Sequence, residues 1–134
     1  RGAAGKRETY QERNERLCIA ADAIVEGLGR EFTFRRQSND ANAIVEVFGS
    51  TQLSKTPSYQ CETLSFSPKS HVILELGGHI GAFAVFAIRN GAKRVIAYEP
   101  HPENAAIYRS NTRELDVELH EVAHTHTHTH THTH

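Results

Sequence analysis

The sequence predicts an α/β fold in which parallel strands are flanked by helices. Three observations support this prediction: a near-continuous apolar run at residues 71–76, a glycine-rich turn that opens an apolar helical stretch, and a second strand-like run at residues 94–98. Buried parallel strands are near-continuously apolar, and a helix commonly connects two of them. We therefore predict a partial Rossmann-like domain over residues 71–123, with an N-terminal helical segment before it.

Size and charge limit the possible functions. The chain has 134 residues, enough for one domain with a core, and a formal net charge of -1. This balance gives no general attraction to nucleic acid or anionic membrane, so we expect neither as a partner. No apolar run approaches the ~20 residues of a membrane span. Cys18 and Cys61 form no C-x-x-C pair, which favours a reduced, intracellular setting over secretion.

Residues 1–30 form a polar tail followed by an amphipathic helix from about Tyr10 to Leu28. Apolar residues recur at three- and four-residue spacing, which gives one apolar stripe, and Gly27 and Gly29 end the helix. The stripe comprises Leu17, Ala20, Ala21, Ile24, Val25 and Leu28. We expect this helix to pack on its own domain, with Cys18 as a small apolar filler, and binding of a partner is the alternative.

Residues 31–70 are interpreted as a short strand, a helix and a loop. Alternation around Phe32 and Phe34 predicts the strand, and the caps at residues 38–40 predict a helix that ends at Gly49. Arg35 and Arg36 are expected at a solvated strand end, with anion binding as the alternative. The loop carries a possible strand at residues 59–63.

Residues 124–134 alternate His and Thr. A CA dinucleotide repeat read in triplets encodes this alternation directly, so the tail needs no functional explanation. Imidazoles are good metal ligands, which makes a metal-binding tract the alternative. We assign no metal site to the chain.

The turn between the first strand and the next helix holds Gly77, Gly78 and Gly81. Glycine permits positive φ angles and close approach of a ligand to the backbone. The helix then runs over residues 82–90 and ends at Gly91. Its N-terminal N–H groups suit a phosphate or the carboxylate of an amino-acid-like cofactor.

Glu99 follows the second strand, about 20 residues after the glycines, where an acid bonds ribose hydroxyls. A helix over residues 103–115 and a third strand over 117–122 complete the unit. The glycine pattern is G-G-x-x-G and not the G-x-G-x-x-G of dehydrogenases, so the motif by itself is weak. The alternative is a plain tight turn with a solvated Glu99.

Two phrases in this unit resemble a known family. They are the run VILELGGHIG at residues 72–81 and the run GAKRVIAYEPHPEN at residues 91–104. Both resemble the FkbM-type S-adenosylmethionine-dependent methyltransferases, whose pattern continues into an E-P-x-P-x-N element. The segment around FRRQSND and IVEVFG is similar to the lead-in of that family, so the resemblance covers about residues 32–123.

The resemblance implies roles for eight residues toward the cofactor S-adenosylmethionine. Glu75 would lie near the methionine end, with Gly77, Gly78 and Gly81 forming the turn beneath it. Glu99 would hold the ribose hydroxyls. The remaining assigned positions are His79 in the turn and the wall residues Pro100 and His101 beside the ribose and adenine.

The chain also departs from the family pattern. Glu75 stands where Asp is usual, His79 where Asn is usual, and Gly78 replaces Ala, which we expect to loosen the turn. No residue is identified as a catalytic base, and the methyl acceptor, a small molecule, is not indicated. Only the first three core strands are recognised, so we expect a cofactor-binding fragment that is inactive alone, whose first strand is an open edge able to self-associate. An NAD-dependent oxidoreductase half-domain and a non-catalytic interaction module are the alternatives.

Overall fold

The computed structural model describes residues 7–49 and 71–122 and shows helices around a parallel sheet. The strands pair in the order β1-β2-β3, with Ile73 opposite Val95 and Val95 opposite Val117. This confirms the predicted α/β fold. The elements are α1 (Tyr10–Gly27), α2 (Asp40–Phe48), β1 (Val72–Leu76), α3 (Ala82–Arg89), β2 (Arg94–Tyr98), α4 (Pro102–Asn111) and β3 (Val117–His120).

One face of the sheet packs against α3 and α4. Small residues of α3, Ala84 and Ala87, meet Val95 and Ala97 of the central strand, and Tyr108 of α4 closes the cluster. The alanines let the helix backbone approach the strands closely, because they place only a methyl group between the two layers. The result is a dense layer directly beneath the C-terminal ends of β1 and β2.

A second cluster joins α1, α2 and α3. Cys18 and Ala21 of α1 are buried in it together with Ile44 of α2 and Phe86 of α3. The N-terminus of α1 is closed by a capping box between Thr9 and Glu12. The amphipathic stripe of α1 therefore covers its own domain, and Cys18 is the buried filler that the sequence predicted.

The strand predicted around Phe32 and Phe34 is wrong. Residues 31–35 have no regular secondary structure, although Phe32 is buried in the second cluster. The physical reason is the side chain of Asn111. It accepts from the Thr33 N–H at 2.7 Å and donates to the Thr33 carbonyl at 2.9 Å. The amide of Asn111 thus takes the place of a neighbouring strand.

A near-continuous apolar run predicts a strand buried on both faces, but within the described residues β1 is exposed on one face. Ile73 and Glu75 face the helices, and the alternate side chains face outward. These are Val72, Leu74 and Leu76, which are 51%, 63% and 61% exposed. The helices α3 and α4 both contribute to the core on the Ile73 side, so neither covers the opposite face.

Two predictions concern residues outside the described ranges. They are the possible strand at residues 59–63 and the His-Thr tail.

Two elements within the described ranges are shorter than predicted. The third strand ends at His120, and α4 ends at Asn111. No helix in the described ranges has the length and apolar character needed to cross a membrane.

Candidate functional site

The glycine turn lies at the C-terminal end of β1 and leads directly into α3. Gly77 and Gly81 have φ angles of 80° and 84°, which residues with a Cβ adopt only under strain. The N–H groups of Gly77 and Gly78 both donate to the Tyr98 carbonyl, at 2.8 and 3.1 Å. These two hydrogen bonds hold the turn against the last residue of β2, directly before Glu99.

Gly78 makes room for Tyr108. A Cβ on Gly78 would lie 2.6 Å from Cε2 and 3.1 Å from Cδ2 of the tyrosine ring, which is fully buried. The expectation that this glycine loosens the turn is therefore wrong, because a neighbouring aromatic ring occupies the space that alanine would need.

Glu75 is buried beneath the turn and is 8% exposed. Its Oε2 accepts a hydrogen bond from the Tyr108 hydroxyl at 2.8 Å. Burial raises the pKa of Glu75 to about 7, and although the Tyr108 hydrogen bond acts in the opposite direction, the charge of Glu99 raises it further. Burial and the nearby Glu75 carboxyl also raise the pKa of Tyr108. Glu75 can therefore change charge near neutral pH.

Glu99 is held by backbone N–H groups and is 4% exposed. The N–H of His79 donates to its Oε2 at 2.7 Å, and the N–H of His101 donates to its Oε1 at 2.8 Å. The Asn104 amide adds a longer contact to Oε1 at 3.4 Å. Because a carboxylate has about four acceptor positions, this geometry fixes Glu99 and leaves limited capacity for a ligand hydroxyl.

His79 is the non-glycine residue of the turn with a positive φ, of 51°. Its Nε2 lies 3.2 Å from Oδ1 of Asp40, a carboxylate that is 0% exposed. Asp40 is also paired with the Arg35 guanidinium through two bonds of 2.9 Å. Arg35 is therefore only partly solvated, with 35% of its side chain exposed, and the anion that it binds is a buried carboxylate of the same chain.

A cavity of about 350 Å³ opens beside the turn, between β1, α2 and α3. Two carboxylates line it, Glu75 and the exposed Glu46, and none of its described lining residues is Lys or Arg. Its volume falls in the ~300–1,000 Å³ range of small-molecule sites. Of the eight predicted site residues, it is lined by Glu75, Gly77, Gly78 and His79.

The other four predicted residues lie around the cavity and do not line it. Gly81 is buried against Thr112 and Tyr108, and Glu99 lies behind His79. Pro100 and His101 are exposed at the start of α4. The structure thus brings four of the eight predicted residues to one cavity and places the other four outside its lining.

The role of Tyr108 and the partners of Asp40 were not predicted from the sequence. A usable signal existed for Tyr108, because it follows Asn104 by four residues on α4 and so projects from the same helix face. No comparable signal links Asp40 to His79. Within residues 7–49 and 71–122, no group of three or more His, Cys, Asp or Glu side chains is arranged to hold a metal.

Comparison with known proteins adds no identification. A scan against family models, a search of curated proteins and a search of solved structures each return no match. Functional inference therefore depends on the geometry of the site and on the resemblance of its residues.

Proposed function

We propose that this chain is the cofactor-binding part of an S-adenosylmethionine-dependent methyltransferase of the FkbM type. Methyl transfer would be to an oxygen atom on a small metabolite or sugar. The observation that carries the proposal is the acidic cavity at the glycine turn, next to a buried carboxylate at the end of β2.

The charge of the cavity favours this cofactor. S-adenosylmethionine carries a sulfonium and an ammonium group, and Glu46 and Glu75 line the cavity where those groups would lie. The N-terminus of α3, whose cap residue Gly81 supplies no side-chain bond, suits the cofactor's carboxylate. The two positive groups of the cofactor would thus pair with the carboxyl groups of Glu46 and Glu75, and its carboxylate with the N-terminus of α3.

The chain's contribution would be to bind and orient. In this chemistry the cofactor supplies the reactive methyl, and the protein positions it in line with the acceptor atom. No side chain of the described residues is assigned as a base. We therefore expect the isolated chain to bind the cofactor weakly and to show no methyl transfer.

Isothermal titration calorimetry tests the proposal. We expect weak binding of S-adenosylmethionine that is lost in Glu99→Ala and retained in the control Glu26→Ala, which removes an exposed acid from α1. No heat from the wild-type chain at any ligand concentration would contradict the proposed site. Sub-micromolar affinity would contradict weak binding, and steady methyl transfer by the chain alone would contradict its inactivity.

An NAD-dependent oxidoreductase half-domain is the second enzyme candidate, since it would also use Glu99. Its cofactor carries a diphosphate, which two carboxylates in the cavity disfavour. Competition between NAD and S-adenosylhomocysteine for the chain distinguishes the two candidates. Displacement of S-adenosylhomocysteine by NAD at similar concentration would favour the oxidoreductase.

A non-catalytic role in association is favoured by the exposed face of β1. Val72, Leu74 and Leu76 are all more than half exposed, and within the described residues β1 pairs with β2 alone. An apolar strand with an unpaired edge is a template for pairing with another chain. We propose a second copy as that partner.

A further inference from the structure

Five residues from three parts of the chain form a closed set of polar contacts behind the cavity, here called the clasp. The Arg35 guanidinium donates to Asp40 and, at 2.6 Å, to Oδ1 of the Asn104 side chain. Asp40 contacts the His79 ring, and the backbone N–H of His79 donates to Glu99. The Asn104 side-chain amide also donates to Glu99, which closes the set. Of the five members, only His79 lines the cavity.

The Arg35–Asp40 pair holds the most hydrogen bonds within the clasp, three in number. Asp40 accepts from the Arg35 backbone N–H at 2.8 Å as well as from its guanidinium. Burial opposes ionisation of Asp40, but hydrogen bonds from Arg35 and Ser38 outweigh it and keep the pKa of Asp40 below its ordinary value. An ionised carboxylate only accepts, so the 3.2 Å approach of His79 Nε2 to Asp40 is an attractive polar contact when that nitrogen carries a proton.

The clasp thereby acts on the backbone of the turn. A residue with a Cβ in the left-handed region costs roughly 1–2 kcal/mol, so surrounding contacts must hold His79 there. Its φ of 51° belongs to the conformation in which its N–H meets Oε2 of Glu99. Fixing the imidazole on Asp40 therefore also fixes a donor of the Glu99 carboxylate.

We propose that Arg35 and Asp40 are positioning residues for ligand binding. Through His79 they orient the Glu99 carboxylate, so that its remaining acceptor positions meet the vicinal hydroxyls of a ribose. The inference rests on the proposed function for its ligand, but the structural coupling from Asp40 to Glu99 exists without one. Both residues lie more than 30 positions before the turn, outside the strand–turn–helix unit.

Amide hydrogen exchange without ligand tests the coupling. His79→Asn keeps a residue that tolerates the left-handed region, and it leaves Asp40 paired with Arg35, so the fold is retained. We expect the protection factor of the residue-79 amide to fall about tenfold in His79→Asn and in Asp40→Asn. Asp22→Asn is the control, because it removes the matching exposed pair with Arg36 and should change nothing.

Ligand affinity tests the consequence. For His79→Asn we expect roughly tenfold weaker binding of S-adenosylhomocysteine, because the polar contact between the residue-79 side chain and Asp40 is lost. Affinity for the analogue that lacks both ribose hydroxyls should be unchanged, so the ratio of the two affinities falls. An equal loss for both ligands indicates a merely structural role and overturns the proposal.

The two tests separate this inference from the proposed function. Unchanged protection at residue 79 in both variants overturns the clasp, whatever the ligand result. If the wild-type chain binds neither ligand, the proposed function fails, and reduced protection at residue 79 would still support the coupling of Asp40 to the turn.

Discussion

Glu75 and Tyr108 form a buried carboxyl–phenol pair directly beneath the glycine turn. Burial, the largest cause, raises the pKa of Glu75 from the ordinary 4.5 to about 7. Between these values the folded chain holds a proton that the unfolded chain has released. The unfolding free energy therefore contains a contribution from Glu75 that is fully present below about pH 4.5 and is lost as pH rises through about 7.

This linkage predicts a pH dependence that Glu75→Gln removes. The wild-type unfolding free energy should fall by ~3 kcal/mol more than that of Glu75→Gln as pH rises from below 4.5 to above 7. Urea denaturation of both proteins across this range measures the difference, and contributions from other titrating groups cancel between them. Parallel stability curves for the two proteins would show that Glu75 does not titrate in this window.

The same pair explains why one residue of the turn was misinterpreted. Gly78 was expected to loosen the turn, since alanine is usual at that place in the family it resembles. The structure shows that its missing methyl is replaced by the ring of Tyr108, a residue 30 positions later. The glycine lies in the turn and the tyrosine that fills its space lies on α4. The sequence next to Gly78 therefore does not show that a ring occupies this space.

At the scale of elements, Asn111 at the end of α4 connects three segments. It is 1% exposed, and besides its two bonds to Thr33 it donates to the Ile80 carbonyl at 2.8 Å. One amide side chain therefore satisfies two backbone groups of residues 31–35 and one of the glycine turn. Ile80 is fully buried, so a carbonyl there without a partner is costly, whereas the backbone groups of the exposed Thr33 can also bond water.

Replacement of Asn111 by Ala should destabilise the fold strongly. The change leaves the buried Ile80 carbonyl without its partner and removes two hydrogen bonds to the exposed Thr33, at a total cost of roughly 3 kcal/mol. Urea denaturation gives the value. Asn42→Ala on α2, which removes a surface bond to Glu46, is the control and should change stability by less than about 0.5 kcal/mol. Similar small effects for both variants would refute the role of Asn111.

Element prediction from the sequence succeeded where the pattern was local. The apolar runs of β1 and β2 and the stop at Gly91 predicted those strands and α3 closely, because periodicity and glycine act within a few residues. The strand at Phe32 failed for the opposite reason. Its alternation was correct, but the backbone partner that would make it a strand is a side chain from α4.

At the scale of the whole molecule, the candidate site was predictable only in part. The glycines and Glu99 were found because they belong to one contiguous strand–turn–helix–strand unit. Arg35 and Asp40 were assigned to a strand end and a helix cap, and their placement behind His79 depends on how α2 packs against α3. Contacts between residues some 40 positions apart leave no periodic trace in a single sequence.

The outward face of β1 carries three of the exposed large apolar side chains of the described residues, and two of them, Leu74 and Leu76, also border the cavity. The centre of this face is Leu74 on β1, an edge strand whose outer hydrogen-bonding side has no partner within residues 7–49 and 71–122. Antiparallel pairing of two copies about a two-fold axis would join the two edges. It would also bring both sets of Val72, Leu74 and Leu76 onto one face.

Sedimentation velocity should therefore show concentration-dependent dimers that Leu74→Lys abolishes. The leucine is 63% exposed, so a lysine there costs the monomer little, while it places like charges beside each other across the two-fold pairing. Ile19→Lys is the control, because Ile19 is 67% exposed on α1, away from the edge, and this variant should associate like the wild type. A wild-type chain that stays monomeric at every concentration, or Leu74→Lys dimers of undiminished affinity, would exclude association through β1.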